Sequence, residues 1–277
     1  MKAAVVQMAS GPVKSDNVRK AAVFVKDAIG QGAEFIALPE VFNYRGPTGK
    51  RSDLKPVKEP IPGESLKPLM ALAKEKSVFI LAGSIFETIK NSAKVYNTSV
   101  LIDRNGKVAA TYRKKYLFDA DLGEKQVRES YCFAAGKKLT TVQVGDFRLG
   151  MSICFDLRFP ELFREYAAKG VNVFTVPSAF TKMTGQAHWE VLLRARAVEN
   201  LCYVIAPNQI GPDARGVVSY GNSMIVDPWG KILAWASDDK EEIIYAEIEM
   251  NVLQEKRKIL PTISKVKSQK SKIKSSR

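Results

Sequence analysis

The chain has one histidine, His188, and three cysteines, Cys132, Cys154 and Cys202, among its 277 residues. A single histidine excludes a multi-histidine metal site, and any Cys/His or Ser/His/Asp mechanism would have to pass through that one residue. Three cysteines with no short paired spacing give neither a disulfide framework nor a zinc knuckle, and suit a reducing compartment. No apolar run reaches the roughly 18 to 20 residues needed to span a bilayer, and Met1 to Met8 lacks a signal peptide's long apolar stretch. These scarcities predict a soluble, cytoplasmic protein.

Apolar residues make up 45% of the chain, which is ample for a buried core. The formal charge of +14 raises nucleic acid or membrane surface as partners, so its placement matters. Six basic residues and no acids lie between Thr262 and Arg277, leaving +8 on the rest. This predicts one domain over residues 1–261 and a mobile basic tail, 262–277, able to contact acidic surfaces.

Short β-branched runs alternate with helical patterns. Ala3–Gln7, Phe35–Leu38, Val78–Ile85, Phe147–Ile153, Val171–Val176 and Cys202–Pro207 read as strands. Asp16-Asn17 reads as the cap of a helix running to about Ile29, Pro160 opens a helix that Gly170 closes, and 186–200 carries Trp189, Leu192, Leu193 and Ala197 on one helical face. Hairpins are expected around Arg104-Asn105-Gly106 and Pro228-Trp229-Gly230. The fold class is therefore α/β with mixed sheets.

Three segments carry chemistry. Gly150-Met151-Ser152-Ile153-Cys154-Phe155-Asp156-Leu157-Arg158-Phe159-Pro160-Glu161 follows a strand and leads into a helix, so Cys154 sits at a strand-to-helix turn that can expose a nucleophile and present backbone N–H groups to an oxyanion. On this local pattern alone a buried core cysteine fits equally well. Leu38-Pro39-Glu40-Val41 places a carboxylate just beyond a strand, and Tyr112-Arg113-Lys114-Lys115-Tyr116-Leu117-Phe118-Asp119 follows another.

Together these segments resemble the nitrilase, or carbon–nitrogen hydrolase, superfamily over roughly residues 1–260. The resemblance implies a four-layer αββα sandwich in which Glu40, Lys114 and Cys154 converge, with Glu129 orienting the lysine and the Phe155 N–H contributing to an oxyanion site. Lys114, not Lys115, matches the family lysine; Tyr116 stands where relatives typically have histidine. No metal or organic cofactor is implied, which leaves His188 structural and Cys132 and Cys202 in the core. Superfamily members generally pair, so a homodimer or larger assembly is expected.

Ser178-Ala179-Phe180-Thr181, Thr184 to Glu190, Leu193 to Asn200 and Tyr220 to Gly230 look like the Nit branch, with its deaminated glutathione amidase group most similar. That likeness implies hydrolysis of the γ-amide of a 2-oxo dicarboxylate-type compound through a cysteine thioester. Arg158 could supply a bidentate fork to the substrate carboxylate, and Tyr44 and Thr184 match positions at the same acid end. A Thr184 helix cap could coexist with binding. The alternatives are an ω-amidase acting on 2-oxoglutaramate, a nitrilase or N-carbamoyl hydrolase, and, from another class, a nucleic-acid or membrane binder working through the tail.

Overall fold

Strand Lys2–Gln7 is buried on both faces, and its residues alternate between two different cores. Ala3 and Val5 face one apolar cluster, Ala4 and Val6 another, as period-two side chains require when a sheet is covered on both sides. In the computed structural model, which describes residues 1–121 and 126–262, this pattern sets up four layers.

The first sheet has seven strands. In spatial order they are Glu242–Glu247, Lys2–Gln7, Phe35–Ala37, Phe79–Leu81, Val95–Ile102 and Ile85–Thr88, with Val108–Arg113 also paired to Val95–Ile102. The second has six: Ile232–Trp235, Met224–Val226, Tyr203–Ala206, Val173–Thr175, Phe147–Met151 and Thr141–Val144. Between the sheets lie Val5, Phe35, Leu81, Leu149, Val173 and Ile205. Helices Lys14–Gly30 and Lys67–Lys76 cover the outer face of the first sheet through Ala21, Val25, Leu69 and Ala73. Pro160–Ala168 and Lys182–Asn200 cover the second through Phe163, Tyr166, Trp189 and Leu193. The order is helix, sheet, sheet, helix: the αββα sandwich expected.

Both anticipated hairpins form, Val95–Ile102 with Val108–Arg113 and Met224–Val226 with Ile232–Trp235. Two local readings differ from the sequence expectation. The run Val78–Ile85 is two strands, Phe79–Leu81 and Ile85–Thr88, because Gly83 turns the chain at φ 34° where a Cβ would collide with the Pro39 carbonyl. The first helix starts at Lys14 without a side-chain cap; Asn17 lies inside it and instead binds the Gly11 N–H at 2.8 Å and the Asn43 carbonyl at 3.0 Å. The predicted tail lies outside the described residues beyond Thr262. Among the described residues, no helix is long and apolar enough to cross a membrane.

Candidate active site

Phe35–Ala37 and Val108–Arg113 run in the same direction: the first is parallel to Phe79–Leu81, and two antiparallel pairings through Val95–Ile102 restore that direction. Their carboxyl ends therefore release Glu40 and Lys114 at one edge of the sheet. Gly83 lets the Pro39-Glu40 turn pass close, and Val41 follows at φ 48°, a left-handed conformation rare for a β-branched residue. The Val41 N–H donates to Ser84 Oγ at 2.9 Å, and Gln209 Nε2 donates to the Glu40 carbonyl at 2.9 Å. The glutamate is thus fixed from both sheets.

Cys154 opens a short 3-10 turn, Cys154–Arg158, just beyond strand Phe147–Met151. Its φ is 46°, again left-handed in a residue with a Cβ, and its N–H is spent on the Pro177 carbonyl at 3.0 Å. Backbone strain at such a turn is the hallmark of a nucleophile elbow. Unlike buried Cys132 and Cys202, Cys154 is partly exposed.

Lys114 Nζ sits 3.1 Å from Glu40 Oε1 and 3.0 Å from Glu129 Oε2. Burial works against its ammonium form, but Glu129 and Glu40 outweigh it and hold the group well above the usual lysine range. Asn97 Nδ2, on a strand otherwise deep in the core, donates to the same Glu40 oxygen at 2.8 Å. Burial and then the Glu40 charge push the Cys154 thiol far up, while Lys114 and the Ala179 N–H pull the other way. Cys154 thus has a carboxylate, Glu40, and a cation, Lys114, as its electrostatic neighbours.

These side chains line a cavity of about 360 Å³. Tyr44, Glu129, Phe155, Arg158 and Thr184 line it too, so the structure brings together every residue the sequence marked. Arg158 lies over the rings of Phe155 and Phe180, with Nη1 3.2 Å from His188 Nδ1. Among the described residues it has no carboxylate partner, so its charge is available to an anion. Thr181, not Thr184, caps the helix Lys182–Asn200, which leaves Thr184 inside its first turn. Tyr44 donates its hydroxyl to the Pro47 carbonyl at 3.3 Å. Among the described residues no group of three or more His, Cys, Asp or Glu is placed to hold a metal ion.

Sequence reasoning missed Asn97, the His188–Arg158 contact and Asp156. The Asp156 carboxylate is fully buried and accepts from Tyr112 Oη at 2.8 Å and from the N–H groups of Tyr116 and Ile153, each at 2.9 Å. It thereby ties the Cys154 elbow to both flanks of Lys114. Burial pushes this carboxyl up to about 6, against the three donors. A raised acid binds its proton more readily folded than unfolded, so its stabilisation is full below roughly pH 4 and is lost as pH rises through about 6. Asp156→Asn puts an amide NH₂ against at least one donor, and is expected to cost about 1 to 3 kcal/mol. Because asparagine does not titrate, that deficit should be largest in acid and shrink toward neutrality in thermal scans; a pH-independent deficit would contradict this.

Residues 2–258 match the carbon–nitrogen hydrolase family. The chain belongs to it. This carbon–nitrogen hydrolase, an enzyme class acting on non-peptide C–N bonds, is 38% identical over 266 residues to omega-amidase NIT2 of Homo sapiens, covering 96% of this chain and 94% of the relative. It is 40% identical over 265 residues to the deaminated glutathione amidase of a Synechocystis strain, covering 94% and 96%. The crystal structure of the Caenorhabditis elegans NitFhit protein superposes with a TM-score of 0.88 at 34% identity, over 95% of this hydrolase but 64% of that longer chain.

Proposed function

We propose that this hydrolase is an amidase that cleaves the γ-amide of a 2-oxo dicarboxylate-type compound through a thioester on Cys154. The observation that carries the reading is the joining of the Cys154 thiol, Glu40 and Lys114 in one cavity with Arg158, a cation lacking a protein carboxylate among the described residues. Glu40 takes the thiol proton as sulfur attacks the amide carbon. Lys114 Nζ and the Phe155 N–H hold the developing oxyanion. As the C–N bond breaks, Glu40 passes its proton to the departing amine. It then deprotonates the water that attacks the thioester, and as the C–S bond breaks it returns that proton to the Cys154 sulfur and the acid leaves. Glu129 keeps Lys114 in place; Arg158, Thr184 and Tyr44 receive the acid end.

Deaminated glutathione is the substrate we favour, with 2-oxoglutaramate the second reading; the relatives named for these two activities are similar to this chain to nearly the same degree. Intact-mass analysis with either amide tests the reaction. Wild type should show transient added mass at Cys154. Glu40→Gln should both form and release it far more slowly, because attack on the amide and hydrolysis of the thioester need the same base. Turnover with no added mass in either protein would overturn the thioester. The enzyme is further proposed to be cytoplasmic and to work as a homodimer or larger, an assembly that light scattering showing a single-chain species would argue against. Residues 1–261 form the catalytic unit in this proposal, and the basic tail 262–277 contacts acidic surfaces.

A further inference from the structure

The cavity has a second cationic wall that the reaction above does not use. It is built from the loop after Tyr44 and the turn of the hairpin Ile210–Pro212 and Val218–Tyr220. The hairpin is docked by the Tyr220 N–H on the Phe180 carbonyl at 2.8 Å and the Ala214 N–H on the Arg45 carbonyl at 3.3 Å.

Asp213, at the start of that turn, is shared by two guanidiniums. Its Oδ2 accepts from Arg45 Nη2 at 3.0 Å and from Arg215 Nε and Nη2 at 3.0 and 2.6 Å. Its Oδ1 is taken by the N–H groups of Arg215 and Val217 at 2.8 and 3.0 Å. One carboxylate cannot neutralise two arginines, so the group keeps one net positive charge. Arg45 is buried and spent on Asp213 and Ser219. Arg215 differs: its side chain is 41% exposed, and Nη1 donates to Thr48 Oγ1 at 2.8 Å. Three of a guanidinium's five N–H donors are therefore held by protein, which fixes the plane, and two are left to meet a ligand.

The chemistry says which half of a substrate reaches this wall. Glu40 protonates the leaving nitrogen, so the amine half departs on the Glu40 side. Arg158 stands on the turn Cys154–Arg158 and Arg215 on the hairpin turn, so one cavity carries two cations on separate elements. With Arg158 assigned to the acyl carboxylate in the proposed reaction, the Arg45–Asp213–Arg215 group is the cation left for an anion on the other half. We propose that Arg215, held rigid by Asp213 and Thr48, receives an anionic group on the leaving amine, so that the cavity selects amides whose amine half is itself an amino-acid or peptide carboxylate. This rests on the amidase reading above and deepens it.

The test uses three amides with one 2-oxo dicarboxylate acyl half, their amine halves being ammonia, glycine and glycinamide, assayed on the full chain, Arg215→Gln and Arg215→Lys. Wild type should prefer the glycine amide to the glycinamide amide. In Arg215→Gln the ratio of their kcat/KM values should fall by about 10- to 100-fold, the loss of one charge-assisted contact, mainly through KM. Arg215→Lys should recover part of it. An unchanged ratio in an active Arg215→Gln enzyme overturns the subsite and leaves the amidase intact; no turnover of any amide by wild type overturns both. Should Arg215→Gln fail to fold, wild type decides alone: free glycylglycine should compete with substrate better than its C-terminal amide, and equal competition counts against the subsite.

Discussion

Lys114→Met is expected to abolish turnover and, unusually for a methionine entering a buried site, to unfold well below wild type. The lysine side chain is 3% exposed and lies between Glu40 and Glu129, themselves 6% and 12% exposed. In the proposed reaction its removal takes away an oxyanion donor, worth about 10² to 10³ in rate by itself. It also strands two buried carboxylates against one another, for which breaking a buried pair suggests about 3 to 5 kcal/mol. For a chain of this size that lowers the melting midpoint on the order of 10 °C. The sign with pH follows from the charges. Lys114 is held well above the usual range, so its stabilisation is present at every pH below the normal lysine value and is lost only in strong alkali. Midpoints measured at pH 5 and pH 8 decide it: a variant melting within a degree or two of wild type at both would show that the three charges are not coupled.

The second large effect is a separation of activity from stability at Cys154. Both Cys154→Ala and Cys154→Gly remove the only thiol in the cavity among the described residues, and turnover should fall by at least about 10⁴-fold in each. Their stabilities should differ in the direction opposite to the usual one. In a helix or strand interior glycine is worse than alanine, but at φ 46° alanine keeps the Cβ clash and glycine does not. Cys154→Gly should therefore be the more stable by about 1 kcal/mol, a few degrees in a thermal scan. If alanine proves more stable, the elbow stores no strain, and the left-handed turn is merely tolerated.

What could be read from the sequence was what local pattern controls. Cys154, Glu40 and Lys114 each stand just after an apolar run, and a strand that ends at a sheet edge must deliver its next residues there. The charges deeper in the site were hidden because their meaning depends on partners far along the chain. Asn97 reads as one polar residue in a β-branched strand until Glu40, 57 positions earlier, is brought to it. Asp156 appears as part of a motif, yet beside its near neighbour Ile153 it takes donors from Tyr112 and Tyr116, 44 and 40 positions earlier. Arg45 and Asp213 are 168 residues apart. Even the misplaced first cap has this origin: the local signal of Asp16-Asn17 was sound, but Asn43 and Gly11 offered Asn17 better tertiary partners.

Glu40 and Lys114 hang from the first sheet and Cys154 from the second, so the reactive group exists only where the two sheets meet. During synthesis, the acid–base half leaves the ribosome some tens of residues before the thiol, and the edge strand Glu242–Glu247 that completes the first sheet emerges after both. An unfinished chain, or one whose sandwich has come apart, holds an ordinary cysteine without its base or its cation. In the proposed mechanism, chemical competence is therefore conditional on complete assembly of the two sheets.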